Sequence, residues 1–199
     1  MATIVKGDLY EQLDGKLFEI KRQIRQKGGY PHDPERLKGA LQAVVEGRFD
    51  TSTIITVNRS RTFNPAKFIG RGWTIEEEDE RSLALTQVDL SAILLETTLK
   101  PSDNGRVQGE EKLRRLKASG HIRLDAMVLQ TLWENKHLIP ESWKTKNAVY
   151  FDGTVLRRPF GSRCVLCLSW YGDEWNWYYD WLDHDWNAEN PSAVLVKSR

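Results

Sequence analysis

Residues 169–195 read SWYGDEWNWYYDWLDHDWNAENPSAVL and hold five of the chain's eight tryptophans. Side chains alternate along a strand, so EWNWYYDWL (174–182) places Trp175, Trp177, Tyr179 and Trp181 on one face. Asn176, Tyr178, Asp180 and Leu182 fall on the other. In a half-buried antiparallel sheet the aromatic face is the core face and the polar face meets solvent. A buried Trp removes about 150–250 Å² from water, so Trp170, Trp175, Trp177, Trp181 and Trp186 read as a rigid frame. The polar face and its adjoining loops carry Tyr171, Asp173, Asn176, Tyr178, Asp180, His184, Asn187 and Asn190. Tyr and Asn suit binding surfaces because they supply contact area and hydrogen bonds at low entropic cost. The competing arrangement exposes the Trp rings as a platform that stacks on sugars or bases.

Upstream of this tail the chain also reads as β. AVYFDGTVL (148–156) is two short strands or a hairpin about Asp152-Gly153, RRPFGSR (157–163) a second turn, and RCVLCLSW (163–170) a further strand. YGDE (171–174) is a turn and SAVLVKS (192–198) a closing strand. Cys164 and Cys167 are the only cysteines, and on a strand positions three apart point to opposite faces, so they read as structural thiols and not as metal ligands.

Two helices precede these strands. GEEKLRRLKASG (109–120) has acids first, bases later and Gly120 as a stop, with KLRR expected on a solvated face. LDAMVLQTLWENKHLIPESWK (124–144) starts a helix at Asp125, turns Val128, Leu129, Leu132 and Trp133 inward and stops before Pro140. Earlier still, TIITVN (53–58), SLALTQVDL (82–90) and ILLETTL (93–99) read as strands, and NPAKFIGRGW (64–73) as a short helix or turn with a glycine-punctuated loop. Gly70 and Gly72 complete no phosphate-loop pattern, and EEEDE (76–80) lacks the spacing of a calcium loop and reads as a solvated charge run.

The first fifty residues form a helical hairpin by pattern. Asp8 is placed to cap a helix with Leu9, Leu13, Leu17, Ile20 and Ile24 on one stripe until Gly28-Gly29. Asp33 caps a second helix, with Pro34 at its start and Leu37, Leu41, Val44 and Val45 on one face, after a Gly-Tyr-Pro turn. The hairpin (1–50) packs on the following α+β domain (51–199), or residues 9–45 make a homo-oligomer.

A formal charge of +1, from 29 basic and 28 acidic residues, provides no field to concentrate nucleic acid or an anionic membrane. The opening MATIVKGDLYEQLDGKLFEI lacks a leader pattern and no run reaches membrane-spanning length, so a cytoplasmic protein without membrane insertion is expected, with surface display as the alternative.

All eight polar-face positions are Asn, Asp, His or Tyr, the four residues encoded with adenine second and a pyrimidine third. The tail, following FDGTVLRRPFGSRCVLCLSW (151–170), resembles the variable region of a diversity-generating retroelement target protein. The likeness extends upstream through GEEKLRRLKASGHIRLDA (109–126) and LWENKHLIPESWK (132–144). In that family, template adenines are mutated during reverse transcription while Trp, Leu, Pro and Gly scaffold positions stay. The resemblance implies a C-type lectin-like fold, an order of strand, two helices and terminal short strands, and a variable tail over 169–191. Glu174 and Glu189 depart from the codon pattern and read as scaffold.

The resulting expectation is a non-enzymatic binding protein without cofactor or metal, whose partner is a protein or other macromolecule. Nucleic acid is disfavoured by the charge balance, and no Glu-Pro-Asn or Gln-Pro-Asp sugar motif accompanies Asn190-Pro191. The alternatives are a carbohydrate- or nucleic-acid-binding module using exposed Trp and, behind it, an enzyme using Asp183, His184 and Asp185 with His184 as acid or base.

Overall fold

The computed structural model describes residues 7–27, 30, 34–46 and 53–196. The chain divides into two compact units, Met1–Thr51 and Ser52–Arg199. The first contains α1 (Asp8–Ile24) and α2 (Pro34–Val45). Gly7, not Asp8, is the N-cap of α1; Asp8 sits in the first turn with Glu11, where negative charge meets the positive end of the helix dipole. The expected Asp33 cap, the Gly28-Gly29 stop, the Gly-Tyr-Pro turn as a whole and the Leu9 side chain lie outside the described residues.

The second unit is a mixed α+β fold. In order it has β1 (Ile54–Thr56), α3 (Pro65–Phe68), β2 (Thr74–Glu78), α4 (Glu80–Leu83), β3 (Gln87–Asp89) and β4 (Ile93–Glu96). β5 (Val107–Gln108), α5 (Gly109–Ser119), β6 (Ile122–Arg123) and α6 (Ala126–Glu134) follow. The terminal part is β7 (Val149–Arg157), β8 (Arg163–Tyr171), β9 (Glu174–Trp181), β10 (Asp185–Trp186) and β11 (Ser192–Leu195). The main sheet runs β4-β11-β7-β8-β9, with β2 also on β7 and β6 also on β11. Pairings are antiparallel except for a parallel bridge between β11 and β7 at Ser192 and Tyr150. Among the described residues no helix is long and apolar enough to cross a membrane.

Both faces of this sheet are covered. Cys164, Leu166 and Leu168 of β8 join Phe151 and the α6 residues Val128, Leu129 and Leu132 in the larger core. Val165 and Cys167 join Tyr150, Val155, Leu182, Trp186 and Leu113 of α5 in a smaller core on the opposite face. The two thiols are therefore free, buried and separated by the sheet. Burying each Leu or Val contributes about 1.5–3 kcal/mol.

Asp125 anchors α6 more firmly than a cap alone. Its carboxylate accepts from the N–H groups of Met127 and Val128 at 2.8 and 3.1 Å, from the Ser82 hydroxyl at 2.6 Å, and from both terminal nitrogens of Arg59. One buried acid thereby ties the segment before β2 and the helix α4 to the start of α6.

Four local expectations are revised. SLALTQVDL is not one strand: the Asp79 carboxylate accepts from the Arg81 N–H at 3.2 Å and starts α4, and β3 begins only at Gln87. ILLETTL ends as a strand at Glu96, whose carboxylate accepts from the Thr98 N–H at 2.6 Å while Thr98 takes φ 57°. Asp152-Gly153 is not a turn but an irregularity inside the continuous β7, where register shifts between Phe151 and Val155. Gly153 is required there because a Cβ would stand 2.2 Å from the Arg123 carbonyl oxygen and 2.6 Å from Leu124 backbone carbon. Finally, EEEDE is a seam of ion pairs: Glu76 meets Arg157 and Arg163 at 2.6 and 2.9 Å, and Glu77 meets Lys117 and Arg123 at 2.7 and 3.2 Å.

Candidate binding surface

β9 divides as its alternation requires. Trp175 is buried, and Trp177 and Trp181 are partly buried against the larger core. Phe68 packs on Trp177 with ring centroids 4.5 Å apart, Trp73 stacks on Trp181 at 6.3 Å, and Trp170 meets Trp175 edge-on at 5.4 Å. The ammonium of Lys144 lies 3.7 Å from the Trp170 ring centroid. All eight Trp are buried or half-buried, so none offers a bare ring platform. The segment 63–73 covers the aromatic face of the edge strand.

The polar face is built differently at its two ends. At the hairpin end, Tyr171 is 75 % and Tyr178 49 % exposed, and Asp173 is exposed in the turn. Gly172 and Asp173 both take φ 62°, the left-handed pair of a tight hairpin turn. Asn176 is half-buried, with its amide donating at 3.3 Å to the carbonyls of Tyr171 and Glu174.

At the other end the residues 182–191 cross the sheet and are pinned to it through Asp180. One Asp180 carboxylate oxygen accepts from the Tyr150 hydroxyl at 2.8 Å and the Trp186 indole N–H at 3.1 Å. The other accepts from the Trp181 N–H at 2.8 Å and lies 2.7 Å from Nδ1 of the exposed His184. Trp186 stacks on Tyr150 at 4.2 Å between centroids. Asn190 accepts from the Asn187 N–H at 3.3 Å, and Asn187 accepts from the Glu189 N–H at 2.8 Å, closing the last turn before β11. Of the eight expected positions, Tyr171, Asp173, Tyr178 and His184 are exposed; the side-chain oxygens of Asp180, Asn187 and Asn190 accept hydrogen bonds from within the protein.

Beneath this segment lies Lys112, the residue least legible in the sequence. It is fully buried, not part of a solvated KLRR face. Its Nζ donates to the Asn190 carbonyl at 2.6 Å and stands 4.9 and 4.7 Å from the ring centroids of Tyr150 and Trp186. Burial lowers its ammonium to about 8, opposed by the nearby Asp152 and Glu96 carboxylates. Burial pushes the Cys164 thiol up to about 12 and the Cys167 thiol higher still, and holds the Tyr150 hydroxyl well above its ordinary value. A signal did exist: Gly109, Lys112, Leu113 and Leu116 are the buried positions of α5, and Lys112 stands on that helical stripe.

Asp183, His184 and Asp185 are all exposed, and they are strung along a turn and the start of β10. Among the described residues no group of three or more His, Cys, Asp and Glu side chains is placed to hold a metal ion. Comparison with family models, with curated proteins and with solved structures finds no match.

Proposed function

We propose that the chain is a non-enzymatic binding protein of the diversity-generating retroelement kind, whose second unit is a C-type lectin-like domain that displays a hypervariable surface. Its recognition positions are Tyr171, Asp173, Asn176, Tyr178 and His184, while Asp180, Asn187 and Asn190 hold the segment 182–191 that carries His184. The observation that carries this reading is the division of the tail: adenine-pyrimidine-codon residues stand exposed at Tyr171, Asp173, Tyr178 and His184, over a frame of covered Trp. The element order supports the lectin-like reading, with β4, then α5 and α6, then β7 to β9, and β11 returning to pair with β4. Binding follows from side-chain chemistry: the Tyr rings give apolar contact, and Asp, Asn and His give directed hydrogen bonds. The partner is a protein or another macromolecule with a surface that such a patch can match.

A displayed library of the full chain tests this. With the exposed Tyr171, Tyr178 and His184 randomised together and Asp173 limited to Asn, Asp and Gly, most members are expected to fold, because exposed positions change stability by only about 0.5 kcal/mol each. Panning against a panel of unrelated purified proteins is then expected to return specific binders. A library that fails to fold, or one that folds and yields no binder to any member of the panel, contradicts the proposal.

A further inference from the structure

The first unit carries a surface that the binding reading does not use. On α1, Tyr10, Leu13, Leu17, Ile20 and Ile24 recur at 3, 4, 3 and 4 residues, an a-d-a-d-a seam. Leu13, Leu17 and Ile24 of this helix are 45 %, 48 % and 48 % exposed. A second apolar surface adjoins it, a cavity of about 460 Å³ lined by Ile24, Tyr30, Leu37, Leu41 and Val45 at the end of α1 and along α2. Two helices of this length do not stabilise themselves in water while their apolar stripe stays wet.

We infer that α1 is the homodimerisation element of this protein and that two copies pair antiparallel along this seam. The flanking charges select both the partner and its direction. With the seam at positions a and d, Asp14 and Lys21 occupy e positions and Lys16 and Gln23 occupy g positions. A parallel pair would set Lys16 against Lys21 of the second copy, twice, with no opposite-charge pair to offset it. An antiparallel pair, with Leu17 layered on Ile20 and Leu13 on Ile24, sets Asp14 against Lys21 of the second copy, also twice. Asp14 and Lys21 are both exposed, so the charges are available. The dimer presents two recognition surfaces, which raises the avidity for any target that carries repeated epitopes.

The test uses the full chain and two charge variants, weighed by light scattering after gel filtration, with helicity checked by circular dichroism. The unmodified chain is expected to have twice the chain mass. Asp14→Lys and Lys21→Asp are each expected to weaken the dimer about ten-fold, since each turns two attractive pairs into repulsive ones. Mixed in equal amounts, the two variants are expected to regain the dimer. One copy then carries lysine at both positions and the other carries aspartate at both, so each of the two pairs again joins opposite charges. The mixture contains the same helices as the separate variants, so restored mass cannot come from altered helix stability. A monomeric unmodified chain overturns the inference. So does a dimer that Lys21→Asp tightens, which is the parallel outcome, or one that neither substitution weakens, which places the interface elsewhere.

Discussion

Replacing Trp186 with alanine is expected to cost about 3–5 kcal/mol of folding stability, the range for truncating a buried aromatic side chain. The indole fills the space between α5 and the sheet, stacking on Tyr150 at 4.2 Å while its N–H donates to Asp180 at 3.1 Å. Removing it leaves a void under residues 182–191 and takes the aromatic wall from beside the Lys112 ammonium. Tyr171→Ala, on a residue 75 % exposed, is expected to stay within about 0.5 kcal/mol. Urea unfolding of both variants measures the contrast. If both fall within roughly 1 kcal/mol of the parent, the indole is not the support assigned to it.

Stability is expected to pass through a maximum near pH 9 within the range 7.5 to 10, for reasons that can be signed group by group. Lys112 has a folded value of about 8 against an ordinary 10.5, so between these the unfolded chain binds a proton that the native chain does not. Its contribution therefore rises with pH, by about 1.4 kcal/mol per unit. Cys164 and Cys167 act in the opposite sense. Above the ordinary thiol value of 9 the unfolded chain loses protons that the native chain keeps, and two falling contributions outweigh one rising contribution. Lys112→Met is expected to remove the rise between pH 8 and 9, and the Cys164→Ala/Cys167→Ala double variant to carry the rise toward pH 10, where Tyr150 takes over with the same sign as the thiols. A stability that falls steadily from pH 8 in the parent would show that Lys112 stays charged there.

The parts of the fold legible in the sequence are those in which one local pattern governs. Alternation in EWNWYYDWL assigned both faces of β9, the spacing of Cys164 and Cys167 put them in separate cores, and Asp125 and Gly120 mark helix ends. The parts not legible depend on neighbours distant in the chain. Asp152-Gly153 has turn chemistry, but the glycine serves the close approach of the Arg123 and Leu124 backbone. EEEDE has the composition of a solvated run, but Arg123, Arg157 and Arg163 come from beyond α5 to pair with it.

The candidate site divides the same way. Residue type and codon class gathered the eight positions, but only the fold separates Tyr178, which faces solvent, from Asp180 two places on, which holds Tyr150 and Trp186. Tyr150 and Lys112 lie 30 and 78 residues from the tail atoms they hold, and no pattern within the tail points to them.

Deep sequencing of codons 169–191 across a source population, with the flanking DNA, separates a diversified tail from a fixed one. A near-copy template and a reverse transcriptase gene are expected nearby. The variation is expected to be uneven: wide variety at Tyr171, Tyr178 and His184, Asn, Asp or Gly at position 173 because φ is positive there, and little change at Asp180 and Asn190. An invariant tail with no template would contradict the retroelement reading itself, and variety at Asp180 equal to that at Tyr178 would contradict the division between displayed and supporting residues.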